Sequence, residues 1–264
     1  MKSGEFFCLF LNKFFPKKKV AGRESPQAYS EAEHSWAKDG LALYAPYIDL
    51  KDKMVLDAGC GLGGKTIFYA ENGCKLITGI DIDEEHIKYA KEFAEKKGVS
   101  NAEFRVGSLD MLPFESDKFD IIFMNDVIEH IKRPILPKVL EECKRVIKEN
   151  GRICLEFPPW TDAYAAHLYD YIYIPWCQLL FSSETLIRVI KRMDPQPRHG
   201  KLSVIEHFQE LNRISIEEFE DIVKMRDFKV VSFERRTIKN IKFLRHIPFF
   251  NKYLITRVVA VLSK

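Results

Sequence analysis

The chain has 264 residues, 46% of them hydrophobic and 30% charged, with a formal net charge of +3, which is length enough for one large α/β domain with insertions. No apolar run approaches the ~20 residues of a membrane span. The six cysteines (8, 60, 74, 143, 154 and 177) form no Cys-x-x-Cys pair, which argues against a zinc site or a disulfide framework and for buried, reduced thiols in a cytoplasmic protein.

In chain order, residues 1–25 read as a basic-aromatic tail or loose helix, carrying six Lys/Arg against two acids. Phe6-Phe7-Cys8-Leu9-Phe10-Leu11 and Phe14-Phe15 run into Lys17-Lys18-Lys19, a stretch too short and too acid-tinged (Glu5) for a secretory signal. The mixture returns between Lys242 and Tyr253, within a segment, 229–264, that has nine Lys/Arg against one acid; the middle of the chain is left at −9. Aromatics beside Lys and Arg suit the headgroup region of an anionic membrane. In the plainer reading the apolar residues cover the core and the lysines are solvated. A helical cover follows at Tyr29 to Tyr47, with Trp36, Leu41 and Tyr44 as inward positions. Short apolar runs predict strands at about 53–57, 75–81, 102–106, 119–124 and 151–157, with helices at about 63–72, 84–97 and 136–149 between them. Alternating strands and helices imply a parallel sheet with helices on both faces. Ser215-Ile216-Glu217-Glu218 is a capping box opening a helix to about Met225. Strands at about 229–236 and 254–262 close the sheet. Between them and the fifth strand lies an insertion, about 158–214, rich in Trp160, Tyr164, His167, Tyr169, Tyr171, Tyr173 and Trp176. It leaves the carboxyl end of a parallel strand, the edge where open α/β sheets bind ligands, so it is placed to act as a lid with an aromatic acceptor pocket. Aromatics at such spacing also serve as ordinary packing.

The chemistry concentrates in two segments, Val55-Leu-Asp-Ala-Gly-Cys-Gly-Leu-Gly-Gly64 and Gly79-Ile-Asp-Ile-Asp83. A strand, a glycine turn, a helix and a second strand ending in an acid hold an adenosine, the acid taking the ribose hydroxyls. The glycines satisfy three patterns at once. Gly59, Gly61 and Gly64 fit the nicotinamide fingerprint, and Gly59 with Gly64-Lys65-Thr66 fits a phosphate loop. Asp57, Gly59, Gly61 and Gly63 fit an Asp-x-Gly-x-Gly-x-Gly motif. Asp57 decides among them, because a carboxylate beside the turn repels a phosphate and attracts the ammonium and sulfonium of S-adenosylmethionine.

From about residue 29 to 160 the chain resembles class I S-adenosylmethionine methyltransferases, in particular the small-molecule branch that includes quinone-biosynthesis enzymes. The resemblance rests on the glycine motif, on Asp110-Met-Leu-Pro-Phe114 within Ser108–Phe114, on Phe119-Asp-Ile-Ile122, on Val127-Ile-Glu-His-Ile131, and on the helix and strand from Leu140 to Phe157. It implies a Rossmann-like three-layer sandwich with a seven-stranded, mostly parallel sheet, the last strand antiparallel between its neighbours. It implies an enzyme using S-adenosylmethionine, with a small-molecule or lipid-like acceptor and O-methylation favoured. Implied cofactor contacts are Asp57, Gly59, Cys60, Gly61, Gly63, Asp81, Ile82, Ser108, Leu109 and Asn125. Ser108 stands where the family usually has Asp, and Lys65-Thr66 is unusual after the glycines and has no assigned role. His130, just past the fourth strand, and His167 in the insertion are the candidate bases. In some relatives the positions of Asp126, Glu129 and His130 hold a divalent metal, but Asp126 replaces their Glu, and no metal is the favoured expectation. Asn125-Asp126-Val127 differs from the Asn-Pro-Pro-Tyr of DNA amino-methylating enzymes, so nucleic acid is not an expected partner. Without a Cys-x-x-x-Cys-x-x-Cys run, radical use of the cofactor is not expected. Alternatives are a non-catalytic S-adenosylmethionine-binding subunit, a phosphate-loop protein and a nicotinamide dehydrogenase.

Overall fold

The computed structural model describes residues 3–17, 21–193, 203–237 and 251–264. Its elements are α1 (Ser3–Asn12), α2 (Pro26–Tyr44), β1 (Met54–Ala58), α3 (Gly64–Glu71), β2 (Leu76–Asp81), α4 (Glu84–Lys97), β3 (Ala102–Val106) and β4 (Phe119–Asn125). After a 3-10 turn at Ile128–His130 come α5 (Leu136–Val146), β5 (Ile147–Phe157), α6 (Cys177–Leu180), α7 (Ser183–Arg192), α8 (Val204–Glu210), α9 (Ile216–Met225), β6 (Lys229–Thr237), α10 (Asn251–Leu254) and β7 (Ile255–Ser263). The predicted strand and helix order is the observed one. The seven strands lie in the order β3-β2-β1-β4-β5-β7-β6, with β7 antiparallel to both of its neighbours. The strand order reverses between β1 and β4, the switch point at whose carboxyl side open α/β sheets bind ligands.

Successive strand residues point to opposite faces, which explains the continuous apolar runs. Val55, Ile121 and Phe123 pack on Tyr44 of α2 and Tyr69 of α3, whereas Leu56, Ile122 and Met124 pack on α5 and α9. Ser25 caps α2 through the amide of Ala28, and Asp83 caps α4 through that of Glu85. The Ser215–Glu218 capping box is formed at the start of α9. Trp36, expected to face inward, is 42% exposed. The buried stripe of α2 runs through Ser30, Ala37 and Tyr44, and Trp36 lies one position off it.

The insertion has a core of its own, built from Leu168, Ile172, Leu186, Val189 and Phe208, among others, and Cys8 of α1 belongs to it. Of the expected tail or loose helix, residues 3–12 are thus a docked helix. Helix α1 docks through Glu5, Cys8 and Asn12, three positions at helical spacing. Glu5 bridges Arg188 at 2.6 Å and Arg192 at 3.0 Å. Asn12 donates to the carbonyl of Tyr171 (2.8 Å) and accepts from the amide of Tyr173 (2.6 Å). Phe6, Phe7, Phe10 and Phe14 are left on the outside, 46–69% exposed. No helix among the described residues is long and apolar enough to cross a membrane. Lys18, Lys19 and most of the basic-aromatic stretch from Lys242 to Tyr253 lie outside the described residues.

Gly64 lets α2 cross close over the start of α3. A Cβ there would meet the carbonyl oxygen of Ser30 at 2.4 Å and Cβ of Glu33 at 2.5 Å. Gly64→Ala is expected to cost about 2 kcal/mol, as overpacking does. Gly40→Ala, on α2 with nothing within 4 Å of the added carbon, should stabilise by a few tenths of a kcal/mol, up to about 1. Urea unfolding of both variants reads the opposite signs.

Candidate cofactor and acceptor site

The turn after β1 is anchored across to β2. The amides of Gly59 and Cys60 donate to the carbonyl of Ile80 (2.8 and 3.1 Å), and that of Gly63 to Cys60 (3.0 Å). The amide of Gly61 donates to Asp81 Oδ2 at 2.9 Å. Gly61 has a φ of +52°, and a Cβ on it would meet nothing within 4 Å. The turn is thus open at Gly61. At Gly59, by contrast, a Cβ would strike Val127 at 2.6 Å. Ile82, directly after β2, and Met111, in the segment that follows β3, are 75% and 74% exposed.

Asp81 sits at the tip of β2, its other oxygen accepting from the amide of Asp83 at 2.9 Å. Burial raises its pKa, but His86 and the two backbone amides outweigh burial and hold the carboxyl below its usual range. Asp57 is buried and accepts from the Thr66 hydroxyl at 2.5 Å, which ties the first turn of α3 to β1. Burial pushes Asp57 up to about 6, against the pull of Thr66 and Lys65. Lys65 reaches Asp126 at 2.8 Å, and Arg257 of β7 takes the other oxygen of the same carboxylate. Both residues left without a role by the sequence therefore have one. A phosphate loop needs a free lysine and free amides; here Lys65 is neutralised by Asp126, and four amides of the turn are already spent.

Ser108 donates to the Asp110 carboxylate, so the position usually held by Asp in the family is a serine backed by an acid two residues on. Leu109 is half-buried against the main core, and Cys60 is buried inside the turn. At Asn125, an expected cofactor contact, the side chain is committed within the fold. Its carboxamide accepts from Tyr44 at 2.8 Å and donates to Tyr69 at 2.9 Å. Like Phe123, it points to the face covered by α2 and α3. Asp126, at one of the positions that hold a metal in some relatives, is paired with Lys65 and Arg257. The two cations hold its carboxyl well below the usual range despite burial.

His130 and His167 do come together. Their ring centroids are 5.2 Å apart, and His207 of α8 lies 4.7 Å from His130 and 6.0 Å from His167. His207 gave no signal in the sequence, because only the folded insertion brings α8 to the turn after β4. Asn212 was missed for the same reason. Its side chain donates to the carbonyls of Ile128 (2.6 Å) and Ile131 (2.8 Å), and its amide to that of Glu129 (2.9 Å). The end of the insertion is thereby clamped onto the turn that carries His130. Glu129 is buried, 3.9 Å from His130 Nε2, and neither carboxylate oxygen has a hydrogen-bond partner. Burial, reinforced by Asp126, pushes it up to about 8. Among the insertion aromatics, Trp176 is structural, its indole donating to the carbonyls of Thr161 and Tyr253, both at 3.1 Å. Tyr169 is near His167 and accepts from Arg23 at 3.2 Å, closing the segment before α2 against the insertion.

A family model described as a methyltransferase domain matches residues 49–171. An uncharacterized methyltransferase, YcgJ, of Bacillus subtilis is 36% identical over 101 residues, 38% of this chain and 39% of that one. A ubiquinone biosynthesis O-methyltransferase of Coxiella burnetii is 32% identical over 125 residues, 47% of this chain and 51% of that one. The chain thus spans only about two fifths to one half of the length of these curated relatives. The crystal structure of PH0226 from Pyrococcus horikoshii OT3 superposes with a TM-score of 0.59 at 21% identity, covering 96% of this chain and 98% of that one.

Glu33 of α2 presents a buried carboxylate oxygen without a hydrogen-bond partner. Burial pushes it up to about 7, and Lys65 opposes the rise. Between about pH 4.5 and 7 the native state keeps a proton that the unfolded chain has lost, so stability falls as pH rises through that window. From pH 5 to 7.5 the wild type should lose on the order of 2 kcal/mol more than Glu33→Gln, measured by urea midpoints.

Proposed function

The chain belongs to the class I S-adenosylmethionine-dependent methyltransferase family, and on that premise we propose that it transfers a methyl group from S-adenosylmethionine to a small-molecule or lipid-like acceptor, at oxygen. The observation that carries this reading is the turn open at Gly61 with an anionic Asp81 at its side. The residues present fit the cofactor. The space over Gly61 is one that a Cβ would fill, Ile82 offers an exposed apolar surface, and the acids Asp57, Glu33 and Asp81 favour a cationic ligand. Asp81 would take the ribose hydroxyls, Ser108 with Asp110 the adenine edge, and the turn from Gly59 to Gly63 the amino-acid end. Bound S-adenosylmethionine supplies a methyl group already activated on a sulfonium. What remains for the chain is alignment, exclusion of water and removal of the acceptor's proton. The insertion excludes water, and His130 and His167, at the junction of insertion and sheet, are the groups placed to act on the proton.

The acceptor class draws support from the half-buried aromatics of the insertion and from the O-methyltransferase relative. A lipid-like acceptor would also give a purpose to α1. Its exposed Phe6, Phe10 and Phe14 form a continuous row of ring contacts, and Lys13 and Lys17 are exposed beside them. Phe7 adjoins Phe181 near the exposed Leu179 and Leu180. We place this face on an anionic membrane surface, with the body of the protein in the cytoplasm, where its six buried, unpaired cysteines stay reduced.

Calorimetry should give micromolar binding of S-adenosylmethionine and S-adenosylhomocysteine and no signal with ATP-magnesium or NAD. Asp81→Ala should weaken the cofactor at least tenfold, about 1.4 kcal/mol, while Lys65→Met should retain binding. Tight ATP binding with a silent S-adenosylmethionine titration would overturn the reading. Cofactor binding without transfer of labelled methyl to any quinone or lipid fraction would favour a non-catalytic subunit instead. In sedimentation with vesicles containing phosphatidylglycerol, the wild type should pellet and Phe6→Ser/Phe10→Ser/Phe14→Ser should stay in solution. Equal recovery of the two would remove the membrane contact.

A further inference from the structure

We propose that His130, His167 and His207 form a binding site for a divalent transition-metal ion of the zinc class. One ring nitrogen from each histidine lies within 4.8 Å of the others. Three nitrogens on one zinc-like ion stand ~3.3 Å apart, given metal–nitrogen bonds of about 2.0–2.1 Å, so small side-chain rotations complete the set. The three residues come from separate parts of the chain: the turn after β4, the coil of the insertion and the middle of α8. His167 holds a left-handed backbone, φ +53°, which a non-glycine residue adopts at a cost and which accompanies sites held in place by their surroundings.

A second observation points to a cation. Glu129 is buried and its two oxygens lack hydrogen-bond donors, yet it lies 3.9 Å from His130 Nε2. A bound cation would supply the missing positive charge, with Glu129 as the outer carboxylate that orients His130. Asp126 is excluded from the set by Lys65 and Arg257, so the ligands are imidazoles, which select zinc-class ions over magnesium or calcium. Asn212 reinforces the arrangement by fixing the His130 turn to the end of the insertion. Three protein ligands leave a fourth position open, as in catalytic rather than structural zinc sites. That this position takes an acceptor oxygen rests on the methyl-transfer reading; the metal site itself does not. With an ion bound, the imidazoles serve as its ligands rather than as bases.

The test titrates chelator-treated full-length protein with Zn2+ by calorimetry, and with Co2+ by visible absorption. One equivalent of Zn2+ should bind, Co2+ should give the intense bands of a low-coordinate nitrogen site, and Mg2+ should not compete. His167→Gln and His207→Gln should each weaken Zn2+ at least 100-fold, and the double variant should lose the Co2+ bands. Circular dichroism and melting in chelator establish that the variants are folded. Absence of stoichiometric binding, or equal binding by a folded double variant, would overturn the site. Because no readout involves S-adenosylmethionine, that result would leave the methyl-transfer reading standing, with His130 and His167 as its candidate bases.

Discussion

The carboxyl edge of the sheet depends on one carboxylate held by two cations. Asp126 follows β4 in a left-handed conformation, φ +60°, and is gripped by Lys65 from the start of α3 and by Arg257 from β7. The glycine turn, the central strand and the antiparallel strand are thereby fixed to one another at the place where a ligand would sit. Asp126 and Arg257 each keep more than a third of their side-chain surface exposed, so the clamp matters more for the geometry it fixes than for the energy of its ion pairs. Around the clamp the remaining acids, Asp57, Glu33 and Glu129, are all pushed upward by burial. The region is rich in carboxyls without being uniformly charged, and its residual negative character suits a cationic cofactor.

The second organising element is the cap. The insertion after β5 and the helix α1 share one apolar core, closed by the Glu5 bridge to Arg188 and Arg192. Its far end is bound back to the turn after β4 by Asn212 and by Arg133, which donates to the carbonyls of Asn212 (2.6 Å) and Arg213 (2.7 Å). Cap and sheet therefore meet at the histidine cluster.

The sheet was legible because its signals are local. Apolar runs, the glycine turn, the acid ending β2 and the capping box of α9 each lie within about ten residues. What was not legible depends on distance in the chain or on the phase of an element. The partner of Lys65 and Asp126 is Arg257, and that of His130 is His207; no pattern in the sequence couples them. The two-residue period of β4 turns the Asn125 amide to Tyr44 and Tyr69, while the next residue, Asp126, enters the site region, and no local pattern announces that turn. Within the stretch expected as a tail or loose helix, α1 docks by Glu5, Cys8 and Asn12, a stripe that the conspicuous phenylalanines do not mark. Polar atoms that find partners are as buried there as any apolar side chain.

That docking gives the protein a built-in chemical reporter. The Cys8 thiol is fully enclosed, and burial pushes it up to about 11, so it is neither ionised nor reachable while α1 is seated. Each time the helix lifts, the thiol regains an ordinary pKa and meets solvent. Its rate of modification by a small electrophile is therefore a clock for opening of the cap, set by the free energy of one local unfolding event.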